Sequence, residues 1–226
     1  MRVETIVGIS ISLAGLMFLA AGFVFFRSRS TLNQEIDHIE HLPLLTITRL
    51  QDAPSGEEAV IEGKIAERNM LLDHGFVAYI RSQYQGERCS RDDDGNEDCE
   101  PVWLDDGRVT PALWLDLPGG RTRLANSDYT LYNEPVIWRS TEWLVSYQTI
   151  RFRGFKIGNP IFTKGTVTTS DGVAFKADFI YGGNRQAYLI NQRDEAQSLV
   201  IGSLIFAGFG LAGLIAGGVL LYISFK

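Results

Sequence analysis

Two long apolar segments constrain this chain more than any other feature of its sequence. Residues 5–26 and 198–225 contain 22 and 28 residues, respectively, without a charged side chain. An α-helix needs about 20 apolar residues to cross the ~30 Å hydrocarbon core of a bilayer. Both segments therefore predict transmembrane helices. With both spanning, the termini lie on one side of the membrane and residues 30–197 on the other.

The first apolar segment has one competing interpretation, a cleaved signal peptide. The preceding residues 1–4 are only weakly basic, and residues 23–26 extend the apolar stretch beyond a normal signal h-region. We therefore expect residues 1–4 to be a short tail and residues 5–26 to be an uncleaved anchor.

The region between the anchors is polar and acidic. Residues 30–197 contain 17 Lys and Arg against 26 Asp and Glu, a net charge of −9. This balance argues against a basic nucleic-acid-binding domain, and the two cysteines argue against a disulfide-dense mini-protein. The partners we expect are the lipid bilayer and a protein of unknown identity, with no nucleic acid.

We expect a short amphipathic helical stalk of residues 27–43 after the first anchor. Leu32, Ile36 and Ile39 recur at helical spacing, and Pro43 ends the pattern. The secondary structure of residues 186–197 is ambiguous from the sequence. We expect these residues to connect the central domain to the second transmembrane helix of residues 198–225.

Residues 44–185 carry the pattern of a β-rich domain. Short apolar or alternating runs are separated by turn residues, and no window shows a long helical period. The fold class that we predict is thus a membrane protein in which two transmembrane α-helices flank a mainly-β domain, either a small barrel or a folded antiparallel sheet. The predicted strands lie at residues 59–66, 76–84 and 149–153, in a hairpin of residues 111–124, and in a pair of residues 159–179 around a turn at 170–172.

Cys89 and Cys99 are the only cysteines, and they are placed symmetrically about Asp94. In an antiparallel hairpin with its tip near Asp94 they would face each other across the strands, at a distance that a disulfide can bridge. A bond here would indicate an oxidising compartment, whereas two free thiols would suit a cytoplasmic loop. The acidic run of residues 92–98 lacks the ligand spacing of an EF-hand, so we interpret it as a solvated hairpin tip.

The sequence contains no catalytic constellation that we can assign. A Ser-His-Asp arrangement would need His74, since His38 and His41 lie on the stalk, and no nucleophile-elbow motif is present. His38 and His41 beside acidic residues lack a third strong metal ligand. We therefore assign no catalytic residue, cofactor or metal site. Seven aromatic residues could line a groove, although a core or a belt beside the membrane is the simpler interpretation: Trp103, Trp114, Trp138, Trp143, Tyr129, Tyr132 and Tyr147.

Small residues mark a packing face on the second apolar segment. They let membrane helices approach closely, which favours a packed antiparallel pair within the chain, with a homo-oligomer through the glycine-rich helix as the alternative. The predicted helix-packing residues are Gly208, Ala212, Gly213, Ala216 and Gly217.

Two observations disagree about the side of the membrane on which the central domain lies. Arg27, Arg29, Arg185 and Arg193 flank the domain side of the apolar segments, which favours a cytoplasmic domain by the positive-inside rule. That rule loses force for a loop of this length, and a disulfide would place the domain outside the cytoplasm. Our expectation is an extracytoplasmic domain.

Four motifs give the chain a family resemblance. Residues 61–65 form a hydrophobic-x-Gly-x-hydrophobic strand, and residues 77–81 form an apolar strand ending in Arg. Residues 115–120 combine Leu-x-Leu with a glycine turn, and residues 158–167 resemble a Gly-x-x-hydrophobic element ending in Gly-x-Val. With the two flanking anchors, this layout resembles the GIDE domain, also called BAM for "beside a membrane". That domain occurs in mitochondrial membrane-anchored RING ubiquitin ligases and in prokaryotic relatives.

The resemblance implies a two-pass protein of a prokaryotic cell membrane with a domain on the non-cytosolic side. A RING binds two zinc ions through a series of Cys and His, and this chain has two cysteines. We therefore predict a non-enzymatic, membrane-anchored binding or assembly protein. The alternative is an accessory or degenerate member of a RING ubiquitin-ligase-like system that lacks the catalytic RING.

Overall fold

The computed structural model describes residues 3–224 apart from 93, 141–148 and 169–173, and for residues 3 and 4 it describes the backbone alone. The chain forms two compact units, one made of Met1–His41 with Leu189–Lys226 and the other of Leu42–Tyr188. The elements in chain order are α1 (Val3–His41), α2 (Ile47–Asp52), β1 (Glu58–Ile65), a 3-10 turn (Asp73–Gly75), β2 (Ala78–Arg91), β3 (Glu97–Val109), β4 (Trp114–Leu117), β5 (Gly120–Leu124), β6 (Thr130–Tyr132), β7 (Val136–Arg139), β8 (Ile150–Phe155), β9 (Pro160–Thr168), β10 (Ala174–Ala177), β11 (Phe179–Gly182) and α3 (Arg185–Ser224).

The first unit consists of α1 and most of α3. Both helices are long and apolar enough to cross a membrane by length and composition. The prediction of two long apolar terminal helices around a β-rich region is confirmed. α1 continues through the predicted stalk without a break, and it ends at His41, before Pro43, which lacks the N–H that a continuing helix requires.

Glycines bring the two long helices together at a heptad spacing. A Cβ atom on Gly15 would lie 2.8 Å from the carbonyl oxygen of Gly210, and one on Gly8 would lie 3.2 Å from that of Gly217. Gly22 approaches the other helix in the same way near Ser203. Glycines seven residues apart occupy one helix face, so they allow close backbone contact along the pair.

Five strands of the second unit form a closed ring. β1 pairs with β4, β4 with β5, β5 with β10, β10 with β9, and β9 with β1. All of these pairs are antiparallel except β5–β10, and β11 and β6 extend the sheet from β9. The result is a five-stranded Greek-key barrel, the architecture of OB-folds. Its buried core includes Ile61, Leu115, Leu124, Tyr129 and Phe175.

Two asparagine side chains extend the shortest seams of the barrel. The β1–β4 and β5–β10 seams contain only two residue pairs each. Beside the first, the Asn69 amide donates to the Trp114 carbonyl and accepts from the Trp114 N–H, both at 2.8 Å. Beside the second, Asn126 donates to the Ala177 carbonyl at 2.7 Å and accepts from the Ala177 N–H at 2.9 Å. Each side-chain amide therefore makes the two hydrogen bonds that one further pair of strand residues would make.

A second, four-stranded sheet has the order β3-β2-β8-β7 and is antiparallel throughout. One of its faces buries Phe76, Tyr79 and Phe152 in a small aromatic cluster. Beyond an irregularity at Gly86, the β2–β3 hairpin continues away from this cluster.

Most predicted strands correspond to strands of the structure. Residues 59–66 form β1, residues 149–153 fall on β8, and the hairpin of residues 111–124 contains β4 and β5. The strand predicted at residues 76–84 is longer than expected and continues to Arg91 as β2. The turn predicted at residues 170–172 lies outside the described residues.

Candidate binding surfaces

Trp114 lies on the outer face of the barrel, where β4 meets β5. Strand alternation sends Leu115 inward and leaves Trp114 half-exposed, directly across from Arg123 on β5. Two pairs further along, on the same face, Arg121 forms a salt bridge with Asp116. The outer face of this hairpin therefore carries one aromatic ring among charged side chains.

Two guanidinium groups flank the Trp114 ring. The Arg68 guanidinium carbon lies 3.7 Å from the ring centroid, and that of Arg123 lies 6.0 Å from it, so both are placed for cation–π attraction. A pocket of about 180 Å³ opens on this face. It is lined by Trp114, Arg121, Thr122, Arg123, Leu124, Ala125 and Ala174.

The distal part of the β2–β3 hairpin forms an exposed arm, which we define as residues 87–101. Every described residue of the arm is exposed. Residues 42–188 contain 21 acidic and 16 basic residues, of which the arm alone holds seven and two. The remainder of this unit is thus electrically balanced, and its acidic surplus lies wholly on the arm.

Cys89 and Cys99 are bonded across the arm. They are register partners, and their Cα atoms lie 4.0 Å apart. Near the tip, the Asp92 N–H donates to the Asn96 carbonyl at 3.0 Å. Because pair types alternate along an antiparallel ladder, Cys89 and Cys99 occupy a non-hydrogen-bonded pair, the type with the shorter Cα separation. The predicted pairing is therefore within disulfide distance in the structure.

The tip of the arm is a short loop that closes between Asp92 and Asn96. Gly95 has φ of 84°, as the left-handed position of such a loop requires, and its N–H donates to the Asp92 carbonyl at 3.0 Å. Hydrogen bonds from the Asn96 side chain and backbone hold the pKa of the Asp92 carboxyl below its ordinary value. The carboxylate at Asp92 thus closes the turn.

One group of metal-ligand atoms occurs near the disulfide. Among the described residues, Glu87, Cys89 and Cys99 offer atoms within 4.8 Å of one another. The form of cysteine that binds metals is the thiolate, and these sulfurs are bonded to each other. The group therefore provides a single carboxylate and makes no metal site while the disulfide is closed.

A second arginine–tryptophan cluster lies on the four-stranded sheet. The guanidinium carbon of Arg151 lies 4.3 Å from the Trp103 ring centroid, and Arg139 lies 5.9 Å from it. Burial lowers the pKa of Arg151 from its ordinary value, and the neighbouring charge of Arg153 acts in the same direction. Arg153 in turn reaches Asp105 at 3.3 Å. Arg153 and Asp105 thus neutralise part of this cluster internally.

His74 is part of the aromatic cluster. Its ring stacks on Trp138 with centroids 3.5 Å apart and meets the edge of Phe152 at 4.8 Å. Close by, the Tyr79 hydroxyl donates to the Asp73 carboxylate at 2.6 Å. Burial and this carboxylate raise the pKa of Tyr79 to about 12. The histidine that a catalytic triad would need thus stacks on aromatic rings at an exposed position.

The seven aromatic residues that could have lined a groove are distributed over separate places. Trp103 and Trp138 lie on the four-stranded sheet, Trp114 on the outside of the barrel and Tyr129 in the barrel core, while Tyr132 is exposed. Trp143 and Tyr147 lie outside the described residues. Sequence reasoning missed Arg68, Asn69 and Asn126 altogether, because isolated polar residues in turn-like segments carry no periodic signal.

The predicted helix-packing residues divide between two faces of α3. Gly213 and Gly217 lie against α1, where a Cβ on Gly213 would come within 3.1 Å of the Cα of Gly15. Gly208, Ala212 and Ala216 are exposed. The two stalk histidines lie in the last turn of α1, where the His41 ring nitrogen Nδ1 is 2.7 Å from the Asp37 carbonyl.

Comparisons with known proteins give no further identification. No protein-family model, no curated protein and no solved structure matches this chain. Any function must therefore be argued from its own residues.

Proposed function

We propose that this protein is anchored in a membrane by α1 and α3 and that its β-rich domain binds a partner or organises an assembly beside the bilayer. Support comes from the length and apolar composition of both helices. The close glycine contacts between them add to it, since small residues are what allow helices to pack in lipid.

The exposed arm carries the proposal of a binding role. A segment whose described side chains are all exposed contributes nothing to a hydrophobic core, yet the arm is cross-linked by a disulfide and concentrates the charge of its unit. Charged surfaces steer partners and set the specificity of association. The arm is thus suited to meeting a partner with a basic surface.

An extracytoplasmic domain is part of the same proposal. Disulfides persist in oxidising compartments and are rare in the cytosol. The bonded Cys89 and Cys99 therefore favour the outer side of a prokaryotic cell membrane, against the weaker indication of the flanking arginines.

We further propose a GIDE-type domain without the RING. The four motif segments fall on β1, β2, the β4–β5 turn and β9, all within the β-rich unit. Gly63, in the first motif, lets β4 approach: a Cβ there would lie 2.5 Å from the Asp116 carbonyl oxygen. The proposal is of a binding or assembly module, with an accessory part in a ligase-like system as the alternative.

Protease treatment of intact cells and of inverted membrane vesicles tests the sidedness. We expect cleavage of residues 42–188 in intact cells and protection in inverted vesicles. Cleavage only in the inverted vesicles would place the domain in the cytoplasm and overturn the extracytoplasmic proposal.

Photo-crosslinking from the full-length protein in cells tests the binding role of the arm. A photoreactive residue at Ser90 would report partners of the arm, and the same residue at the exposed Arg49 of α2 is the matched control. We expect a discrete adduct from position 90 that position 49 does not give. Identical products at both positions, or none at position 90, would contradict a partner for the arm.

A further inference from the structure

The residues that close the barrel also position the side chains on the outer face of the β4–β5 hairpin. The Asn69 side-chain amide binds both the carbonyl and the N–H of Trp114, with hydrogen bonds of 2.8 Å. Its neighbour Arg68 is thereby brought over the indole ring at 3.7 Å. Arg123 is fixed across from Trp114 by strand pairing. The positions of ring and cations therefore follow from the barrel itself.

The two arginines that flank Trp114 have no carboxylate partner in the described part of the chain. Arg121 forms a salt bridge with Asp116, whereas neither Arg68 nor Arg123 forms one with a described residue. Their positions on the same ring place the two guanidinium groups within about 10 Å of each other, close to the screening length at physiological salt. At low salt, two like charges at this distance repel each other, and a bound anion would relieve the repulsion.

The pocket has the size of one ring rather than of a whole ligand. Its volume of about 180 Å³ is below the roughly 300–1,000 Å³ of pockets that enclose drug-sized molecules. The indole offers a flat apolar surface, and the arginines offer hydrogen bonds to carboxylate, sulfate or phosphate oxygens. The same face of OB-type barrels is where oligosaccharides and oligonucleotides bind, a fold-level analogy that agrees with this local chemistry.

We infer that this pocket binds one anionic sugar unit of an acidic polysaccharide, with the sugar ring against the part of Trp114 that lines the pocket and its acidic group at Arg123, near the charge of Arg68. Single-stranded nucleic acid needs successive aromatic platforms for its bases. Among the described residues that line the pocket, Trp114 is the one aromatic side chain. The choice of a polysaccharide over nucleic acid also rests on the proposed extracytoplasmic location, whereas the anion site does not.

Binding of defined oligomers to the full-length protein in detergent tests the inference. The probes are a short oligogalacturonate, a neutral dextran oligomer of the same length and oligo-dT, each fluorescently labelled for anisotropy at low and at physiological salt. Arg68→Gln and Arg123→Gln remove one cation each without removing side-chain bulk, and Arg108→Gln removes an exposed charge elsewhere in the unit as the matched control.

We expect the oligogalacturonate to bind, the dextran to bind far more weakly, and each pocket variant to weaken binding about tenfold, the usual effect of losing a charge-assisted hydrogen bond. Arg108→Gln should bind like the parent protein. Absence of anion binding at low salt, or equal binding by the R68Q/R123Q double variant, would overturn the anion site. A preference for oligo-dT that the same variants abolish would overturn the polysaccharide assignment.

This assay is independent of membrane orientation. A cytoplasmic domain in the protease experiment would remove the proposed location and leave the arginine dependence of anion binding intact. Conversely, an extracytoplasmic domain whose pocket variants behave like the parent would refute the pocket alone.

Discussion

The barrel and the arm are both antiparallel β-structure, but different interactions hold them together. In the barrel, five strands close on themselves, and side chains such as Phe175 and Leu124 are fully buried. In the arm, two strands pair with each other alone, every described residue from 87 to 101 is exposed, and Cys89 is bonded to Cys99. A two-stranded hairpin is marginal in water without such help.

The difference shows that one domain can stabilise its strands by two separable means. Apolar burial supplies most of the stability of a folded core. The arm has no access to burial, so its order depends on the cross-link and on the turn at Asp92. Substitutions of the same chemical type should therefore have large effects in the barrel and small ones in the arm.

Truncation in the barrel core should give the largest effect. Phe175→Ala leaves a cavity at a fully buried position, and such substitutions cost about 3–5 kcal/mol. Urea unfolding of the full-length protein in detergent, followed by near-UV circular dichroism, measures the loss. Leu104→Ala, at an exposed position of β3, is the control and should change the free energy of unfolding by less than about 0.5 kcal/mol. Equal losses for the two variants would contradict the importance of the barrel core.

Substitution of the asparagines at the barrel seams should give the next largest loss in the free energy of unfolding. Asn126→Ala removes both hydrogen bonds to Ala177 and leaves a backbone N–H and carbonyl without their partner, so we expect a loss of about 2–3 kcal/mol. Asn126→Asp keeps an acceptor for the N–H but no donor for the carbonyl, and its loss should be smaller. Asn69→Ala should resemble Asn126→Ala in the same unfolding assay. A neutral result for both alanine variants would show that the strands alone close the ring.

These seams also mark the limit of what the sequence could predict. A short apolar run interrupted by glycine predicted β1, and alternating apolar residues predicted β8 because burial on one face imposes a period of two. The symmetric cysteines predicted the arm because a hairpin sets them opposite each other. Barrel closure depends on Asn69 and Asn126, which bond to backbone groups 45 and 51 residues away. Such long-range contacts leave no local pattern, and the Arg68–Trp114 stack is hidden for the same reason.

Reduction of the disulfide should separate the arm from the barrel. With Cys89 and Cys99 reduced, the arm gains conformational freedom in the folded and the unfolded protein alike, because all of its described side chains are exposed. The usual stabilisation of a few kcal/mol by a cross-link should then shrink to less than about 1 kcal/mol for the barrel. Hydrogen exchange with mass spectrometry should show faster exchange in residues 87–101 and unchanged protection in β9. Faster exchange in β9 would mean that the arm supports the barrel.

The smallest effect should come from the turn of the arm. Asn96→Ala removes the side-chain hydrogen bond to Asp92 and is the matched counterpart of Asn126→Ala, since the residue change is identical. We expect the pKa of Asp92 to rise toward its ordinary value, with no measurable change in the urea midpoint. In the parent protein the lowered pKa of Asp92 favours the closed turn at neutral pH, and this contribution disappears as the pH falls through that pKa.

Two measurements distinguish the closed turn from the open one. Carboxyl NMR follows the titration of Asp92, and hydrogen exchange follows the amides at the tip of the arm. If acidification to below the Asp92 pKa lowers the protection factor of the Gly95 amide in the parent, and lowers it less in the Asn96→Ala variant, the turn depends on this carboxylate. Gly95 is the sensitive reporter, because its N–H donates to the Asp92 backbone within the same loop. Should Asn96→Ala shift the urea midpoint as far as Asn126→Ala does, the arm and the barrel would form one cooperative unit, and the contrast between them would fail.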